Sequence, residues 1–172
     1  IEKGKIAGIN AIDYNCDRID LKGATVIPGF IDAHFHLVNL GKQNDTLNLK
    51  NCTSTKEIVE KVLNKSIRLD KNEWMLGFGW DHTKWDKQKF PRSEILNNLP
   101  VTQPLMLTRI DGHSCWVNDK AIQLSGLDVS EKSPFGGEII NGCILIDNAM
   151  NPVQQIIPKP DSKKIEKWIK QA

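Results

Sequence analysis

The sequence lacks the features that identify several large classes of protein. No apolar run in its 172 residues approaches the roughly 18 residues of a membrane-spanning helix, so we expect no membrane partner. The 23 basic and 21 acidic side chains are interspersed, and the formal net charge is only +2. Because no basic patch stands out, we expect no nucleic-acid partner either.

Cysteine is scarce, and its spacing suggests no cross-link. The four cysteines are widely spread and form no CxxC pair, so neither a disulfide framework nor a cysteine zinc site is indicated. Reduced thiols in a cytoplasmic protein are the simpler interpretation. We expect Cys115 and Cys143 to be small buried residues, since no motif places a base beside a cysteine or serine.

The length of the chain limits its fold. A chain of 172 residues can bury a sizeable core, but a closed (β/α)₈ barrel needs about 200 residues or more. The chain begins at Ile1 rather than Met and ends at Ala172, inside a predicted amphipathic helix. These features predict a piece of a longer polypeptide.

Hydrophobic periodicity predicts a mixture of strands and helices. The clearest helix covers Ser54 to about Leu69, where Ser54 and Glu57 form a capping box. A short helix is predicted over Asn118–Ser125, with Gly126 as its stop. Strands are predicted at 18–21, 24–27, 30–37, 74–80 and 105–110, a loop or hairpin at 134–142, and helices at 145–157 (kinked at Pro152) and after 161.

A pair of histidines is the sharpest local feature. Side chains on a strand alternate, so Asp32, His34 and His36 would share one face of the predicted 30–37 strand. Two imidazoles on one face can bind one metal ion, and zinc accepts nitrogen ligands. Asp32 would then orient an imidazole, as carboxylates often do at metal sites, or would bond to neighbouring backbone.

Other interpretations of this pair stay open at this point. An isolated HxH is common and also suits two histidines that only form hydrogen bonds in a partly buried strand. A cupin-type barrel fits less well, because only four residues separate Gly29 from His34 and no glutamate follows before Glu57.

Five blocks in order resemble one family. Val26–Leu37 resembles the signature of the amidohydrolase superfamily at the end of the first barrel strand. The other blocks resemble family-3 amidohydrolases, which include N-substituted formamide deformylases: Gly77–Asp81 with Trp85 behind it, Arg109–Asn118, Phe135–Ile139 and Asp147–Met150. The resemblance spans residues 5 to about 158.

The resemblance implies an α/β parent, a (β/α)₈ barrel with a small β-sandwich, of which this chain would be an incomplete α+β fragment from the N-terminal side. Residues 1–27 would belong to the sandwich, and 28–52 to the first barrel strand and its loop. Residues 53–157 would be a family-specific insertion, and 158–172 the start of the next barrel helix.

The resemblance also implies a metal-dependent hydrolase of amide-like, non-peptide C–N bonds in small molecules. His34 and His36 would be ligands of a divalent metal, expected to be zinc, with one or two ions in the full protein. The general base and remaining ligands would lie beyond residue 172, so the fragment would be inactive alone. The alternative is a non-catalytic α+β module that binds a ligand or another chain.

Five residues of the family blocks are candidates for substrate contact: Trp80, Asp81, Asp111, His113 and Trp116. Each also has a structural interpretation: tryptophans in apolar strands pack in cores, aspartates cap turns, and a histidine in a turn such as His113 bonds to backbone. His82 is expected to be an ordinary surface residue. A barrel strand without its neighbours would leave apolar edges exposed, so the fragment is also expected to self-associate.

Overall fold

A computed structural model of the chain describes residues 1–10, 15–130 and 133–172. The chain divides into two compact units, Ile1–Phe35 and His36–Ala172. Every named helix and strand of the described residues belongs to the second unit. No described helix is both long and apolar enough to span a membrane.

The second unit is built on one mixed sheet. Its strands are β1 Leu47–Asn48, β2 Met75–Trp80, β3 Leu105–Arg109, β4 Ser114–Val117, β5 Gly137–Ile140 and β6 Ile144–Asp147. They lie in the order β1-β2-β3-β4-β6-β5. The first three strands are parallel, and each later pairing is antiparallel, so β1, β2 and β3 all end at one edge of the sheet.

In the described ranges, six α-helices accompany the sheet. They are α1 Leu37–Asp45, α2 Thr55–Ser66, α3 Glu94–Asn97, α4 Asp119–Ser125, α5 Asn151–Ile156 and α6 Ser162–Gln171, with 3₁₀ turns at His82–Lys84 and Asn148–Met150. The predicted caps are confirmed: the side chains of Ser54 and Asn118 accept backbone N–H groups of the first turns of α2 and α4. Gly126 ends α4 at φ +67°, a conformation that favours glycine.

The sheet separates two hydrophobic cores. Alternate residues of β3 go to opposite faces, so Leu105 and Leu107 pack in one core and Met106 in the other. The first core includes Ile58 and Val62 of α2. The second core is covered by α4 and α5.

One irregularity interrupts this alternation in β2. The pairing register of β2 with β3 shifts between Phe78 and Trp80, at Gly79, whose φ is +106°. This β-bulge places Trp80 in the same core as Met75, although strict alternation would put them on opposite faces.

The predicted helix over 145–157 is wrong in its first part. Residues Ile144–Asp147 form β6, because Ile144 and Leu145 pair with the interior strand β4 and are fully buried. Helix α5 begins only at Asn151, and Pro152 lies in its first turn. Proline is tolerated there because the first-turn N–H groups have no partner within the helix.

The predicted strands before residue 38 are not found among the described residues. No named strand covers 18–21, 24–27 or 30–37, and α1 begins at Leu37. Residues 11–14 lie outside the described part of the chain. A strand forms by pairing, and the apolar side chains of the predicted 30–37 strand, such as Phe30 and Ile31, are exposed rather than packed on a partner.

The final helix packs on α1. A Cβ atom on Gly41 would lie 1.9 Å from the carbonyl oxygen of Trp168, so the two helices approach at a glycine. The indole Nε1 of Trp168 donates to Asp45 Oδ2 at 2.6 Å, and Lys167 pairs with Asp45 Oδ1 at 2.9 Å. Burial acts to raise the pKa of Asp45, but these donors outweigh it and hold that pKa below its ordinary value.

Candidate functional site

Polar residues of the family blocks meet at the carboxyl edge of the parallel strands. Asp81 directly follows β2, and Arg109 ends β3. Because β4 is antiparallel, His113 precedes it at the same edge, and Asp147 ends β6 there. Open α/β sheets usually bind ligands at this edge.

Arg109 joins two of the predicted aspartates. Its Nη2 atom lies 3.2 Å from Asp81 Oδ1, and its Nη1 atom donates to Asp111 Oδ2. These two ion pairs form the Arg109 bridge. The side chains of Arg109 and Asp81 are 19% and 14% exposed, so this half of the bridge is largely withdrawn from solvent. Charge-assisted bonds of a guanidinium fix both carboxylates in orientation.

Both aspartates also cap local turns, as their structural interpretation predicts. Asp81 Oδ1 accepts the backbone N–H of Thr83 at 3.1 Å and its hydroxyl at 2.7 Å. Asp111 Oδ1 accepts the backbone N–H of His113 at 3.1 Å. Burial acts to raise the pKa of Asp81, but the Thr83 hydrogen bonds and the charge of Arg109 lower it overall.

His113 is held by Asp147. Its Nδ1 atom lies 2.9 Å from Asp147 Oδ1, and its carbonyl oxygen accepts the Asp147 backbone N–H at 2.9 Å. The hydrogen bond to Asp147, together with its negative charge, raises the pKa of His113 above its ordinary value. The imidazole is otherwise exposed, so a fixed ring faces solvent at the sheet edge.

Asp147 has an unusual backbone. Its φ is +47° and its ψ is −118°, outside the regions that non-glycine residues normally occupy. Strained backbone of this kind is often kept at functional sites. With this backbone, Asp147 contacts His113 through both its carboxylate and its backbone N–H.

Two of the predicted substrate contacts lie in the core. Trp80 and Trp116 are fully buried, with their rings 6.5 Å apart in an edge contact. The Nε1 atom of Trp80 donates to the Leu107 carbonyl at 2.6 Å. Both rings therefore pack in the core of this chain, as their structural interpretation predicts, and their contact with substrate stays a prediction. Trp85, also buried, donates to the Cys52 carbonyl at 3.1 Å.

His82 is not the surface residue that the sequence suggests. Its ring stacks on Phe90 at a centroid distance of 4.1 Å and lies 6.0 Å from Trp80. Its Nδ1 atom is buried and has no hydrogen-bond partner among the described residues. Burial lowers the pKa of His82, and the nearby charge of Arg109 lowers it further.

The histidine pair lies where the two units join in sequence. The backbone N–H of His34 donates to Asp32 Oδ1 at 3.0 Å, the backbone alternative considered for this aspartate. His36 is the N-cap residue of α1, and both histidines are exposed. Two imidazoles fit the ligand chemistry of zinc. No cluster of three or more His, Cys, Asp or Glu able to hold a metal occurs within the described ranges.

The buried cysteines behave as predicted. Cys115 and Cys143 are fully buried, and burial raises the pKa of each thiol to about 12. Thiols with such values hold their protons near neutral pH and make poor nucleophiles.

Two members of the site were not assigned a role from sequence. Arg109 and Asp147 begin two of the family blocks, which was the only signal available for them. Their partners come from other strands: Asp81 lies 28 residues before Arg109, and His113 lies 34 residues before Asp147. Such pairs depend on strand order and register, which one sequence does not reveal.

The sequence and fold of the chain match a hydrolase family. The model of the amidohydrolase family matches residues 17–172. The chain therefore belongs to the amidohydrolase family, as the five blocks predict. It is 30% identical over 148 residues to "Putative amidohydrolase YtcJ" of Bacillus subtilis (strain 168), covering 83% of this chain and 28% of that protein.

Further relatives agree with this assignment. The N-substituted formamide deformylase of Arthrobacter pascens is 27% identical over 127 residues, covering 73% of this chain and 23% of the enzyme. The crystal structure of an uncharacterized metal-dependent hydrolase from Pyrococcus furiosus matches with a TM-score of 0.59 and 26% identity, over 83% of this chain and 28% of that one. The chain thus spans less than a third of these relatives, and its mixed α/β sheet corresponds to part of their fold.

Proposed function

We propose that the protein containing this chain hydrolyses amide-like, non-peptide C–N bonds of small molecules with the help of a divalent metal. The observation that carries the proposal is the family match over residues 17–172, a range that includes the His34–His36 pair. The relative named as an N-substituted formamide deformylase supports formamides as the first substrates to test.

His34 and His36 are the proposed metal ligands, and zinc is the proposed ion, with one or two ions per protein. Their nitrogen donors suit zinc, and Asp32 supports them by accepting the His34 backbone N–H. Zinc supplies Lewis acidity toward a carbonyl oxygen and lowers the pKa of water. A catalytic zinc site needs at least three protein ligands, so others must come from elsewhere in the protein.

His113, Asp81 and Asp111 are the proposed substrate-facing groups. When the imidazole of His113 is neutral and Nδ1 donates to Asp147, Nε2 is left as an acceptor for a substrate N–H group; in the charged imidazole Nε2 is a donor. The Arg109 bridge holds both aspartates in place beside it. Trp80 and Trp116 would support this edge from the core.

The parent architecture is part of the proposal. We infer a (β/α)₈ barrel with a flanking β-sandwich, since the family resemblance implies that fold. A cytoplasmic location is also part of the proposal. Residues 1–27 would contribute to the sandwich, 28–52 to the first barrel strand and its loop, 53–157 to the insertion and 158–172 to the next helix.

Metal content and turnover of the full-length protein test the proposal. We expect His34→Ala with His36→Ala to lose bound zinc and hydrolysis of a formamide panel. His113→Gln is the matched histidine control, and it should keep its zinc while turnover falls by about fivefold to tenfold, as for the loss of one hydrogen bond to the substrate. A double variant that retained metal and activity would refute the ligand assignment.

The 172-residue chain by itself is expected to be inactive, because the histidine motif supplies two ligands where three are needed. In that form it would be a non-catalytic α+β module. Stoichiometric zinc and formamide turnover in the isolated chain would contradict this expectation.

A further inference from the structure

A small cavity opens at the carboxyl edge of the three parallel strands, next to the Arg109 bridge. Its volume is about 110 Å³. This is somewhat less than the ~150 Å³ of an engineered cavity that holds benzene, so a group the size of a carboxylate fits. The residues that line it and carry the argument are Lys50, Asn51, Gly79, Asp81, Lys84 and Ile110.

The charges around the cavity favour an anion. Lys50 and Lys84 both line it, and neither belongs to an ion pair within the described part of the chain. Asp81 is the one acidic residue among the lining groups, and Arg109 already neutralises it at 3.2 Å. The Lys50 Nζ atom lies 5.7 Å from the centroid of the Phe78 ring. Two lysines that line one concave surface raise the local concentration of anions.

The backbone that forms the cavity is fixed before any ligand arrives. Gly79 has φ +106°, and a Cβ atom there would lie 2.5 Å from Lys50 Cγ and 2.9 Å from Lys50 N. The glycine therefore allows the loop after β1 to lie against β2. The Trp85 indole holds the same loop through the Cys52 carbonyl at 3.1 Å. A preformed site loses little conformational entropy on binding.

We propose that this cavity is a subsite for a carboxylate group, which Lys50 and Lys84 bind from two sides while Ile110 provides an apolar wall. The substrates of the parent protein would then be amides that also carry a carboxylate. The inference rests on the proposed function in one respect: it takes the carboxylate to be part of the amide that the protein hydrolyses. Anion binding itself requires neither metal nor turnover.

Titration of the ¹⁵N-labelled chain with acetate at constant ionic strength tests the subsite. Acetamide is the uncharged probe of matched shape, and inorganic phosphate is the competing anion. We expect acetate to shift the amide signals of Gly79, Asn51 and Lys84, with acetamide causing no such shifts. Lys50→Gln with Lys84→Gln should weaken acetate binding by about tenfold or more, the factor that corresponds to ~1.4 kcal/mol.

The control is Lys87→Gln with Lys89→Gln, which changes the net charge equally on exposed lysines that do not line the cavity. It should leave the acetate affinity within about twofold. Equal weakening in both double variants, equal binding of acetamide, or tighter binding of phosphate than of acetate would overturn the carboxylate subsite. None of these results bears on the metal ligands, whose failure would appear in the zinc measurement instead.

Discussion

Two histidines near the sheet edge occupy opposite environments. His82 lies against Phe90 with a buried Nδ1 atom, so its charged form is disfavoured. His113 contacts Asp147 and is exposed, so its charged form is favoured. Their pKa values consequently depart from the ordinary 6.5 in opposite directions.

These directions predict how pH affects the folded chain. The stabilisation from neutral His82 is complete above pH 6.5 and is lost as pH falls through its lowered folded pKa. The contribution of His113 is complete below pH 6.5 and is lost as pH rises through its raised folded pKa. NMR titration of the ring protons should place the two midpoints on either side of 6.5.

Asp147→Asn tests whether the Asp147 carboxylate raises the pKa of His113. It should lower the His113 midpoint toward 6.5 and leave His82 unchanged, because asparagine keeps the shape without the charge and tolerates positive φ. Asp70→Asn, an exposed aspartate in a turn, is the control and should shift neither midpoint. A His113 midpoint at or below 6.5 in the unmodified chain would contradict the Asp147 contact.

The residues of the site were only partly predictable. Asp81, Asp111 and His113 are recognisable in their blocks, because Asp81 and Asp111 directly follow predicted strands and His113 comes two residues after Asp111. Trp80 and Trp116 fill the core behind the edge, a burial that apolar strands predict. Asp147 ends strand β6, which the pattern Leu145–Ile157 presents as a helix, so its position opposite His113 could not be inferred.

At the scale of elements, α1 and α6 come together through a single small residue. Gly41 faces the backbone of Trp168, and Asp45 one turn later binds the Trp168 indole. The helix that begins directly after the proposed ligand His36 is thereby anchored to the last helix of the chain.

Gly41→Ala should loosen this pair. The added methyl would lie 1.9 Å from a carbonyl oxygen that no side-chain rotation can move, and overpacking of this kind costs about 1–3 kcal/mol. We expect faster hydrogen exchange in α6 and a lower melting temperature. Gly29→Ala is the control, since no heavy atom of the described residues, apart from its chain neighbours, lies within 4 Å of the added methyl. Unchanged exchange in α6 would contradict the packing.

The elements themselves follow closely from sequence where local signals are complete. Helices α2 and α4 have both an N-cap side chain and an apolar face, and both form as predicted. Strands β2 and β3 are buried apolar runs of the expected length. Residues 18–37 carry strand-like patterns too, but pairing decides whether a strand forms, and no local pattern specifies the partner.

At the scale of the whole molecule, the first unit exposes much of its apolar surface. Phe30 and Ile31 are adjacent, with 93% and 95% of their surface accessible. Adjacent exposed apolar side chains promote association, because contact with another chain removes them from water.

We expect the isolated 172-residue chain to self-associate through this unit. Phe30→Ser with Ile31→Ser should lower the average mass measured by light scattering at high concentration, and the unmodified chain should show the greater concentration dependence. Phe135→Ser is the control, because Phe135 is 99% exposed in the second unit. A monomeric unmodified chain at all concentrations would refute the prediction.

The bulge at Gly79 makes β2 a strand that changes phase along its length. Before the bulge, odd-numbered residues such as Met75 face the first core, which includes residues of α2. After the bulge, the even-numbered Trp80 faces that core. Deletion of Gly79 would turn each following side chain of β2 to the opposite face of the sheet. Trp80 would then leave its core, and Asp81 would move away from Arg109. The spacing between Phe78 and Trp80 is therefore as constrained as the identity of either neighbour, and we expect sequences that keep the Arg109 bridge to keep this spacing too.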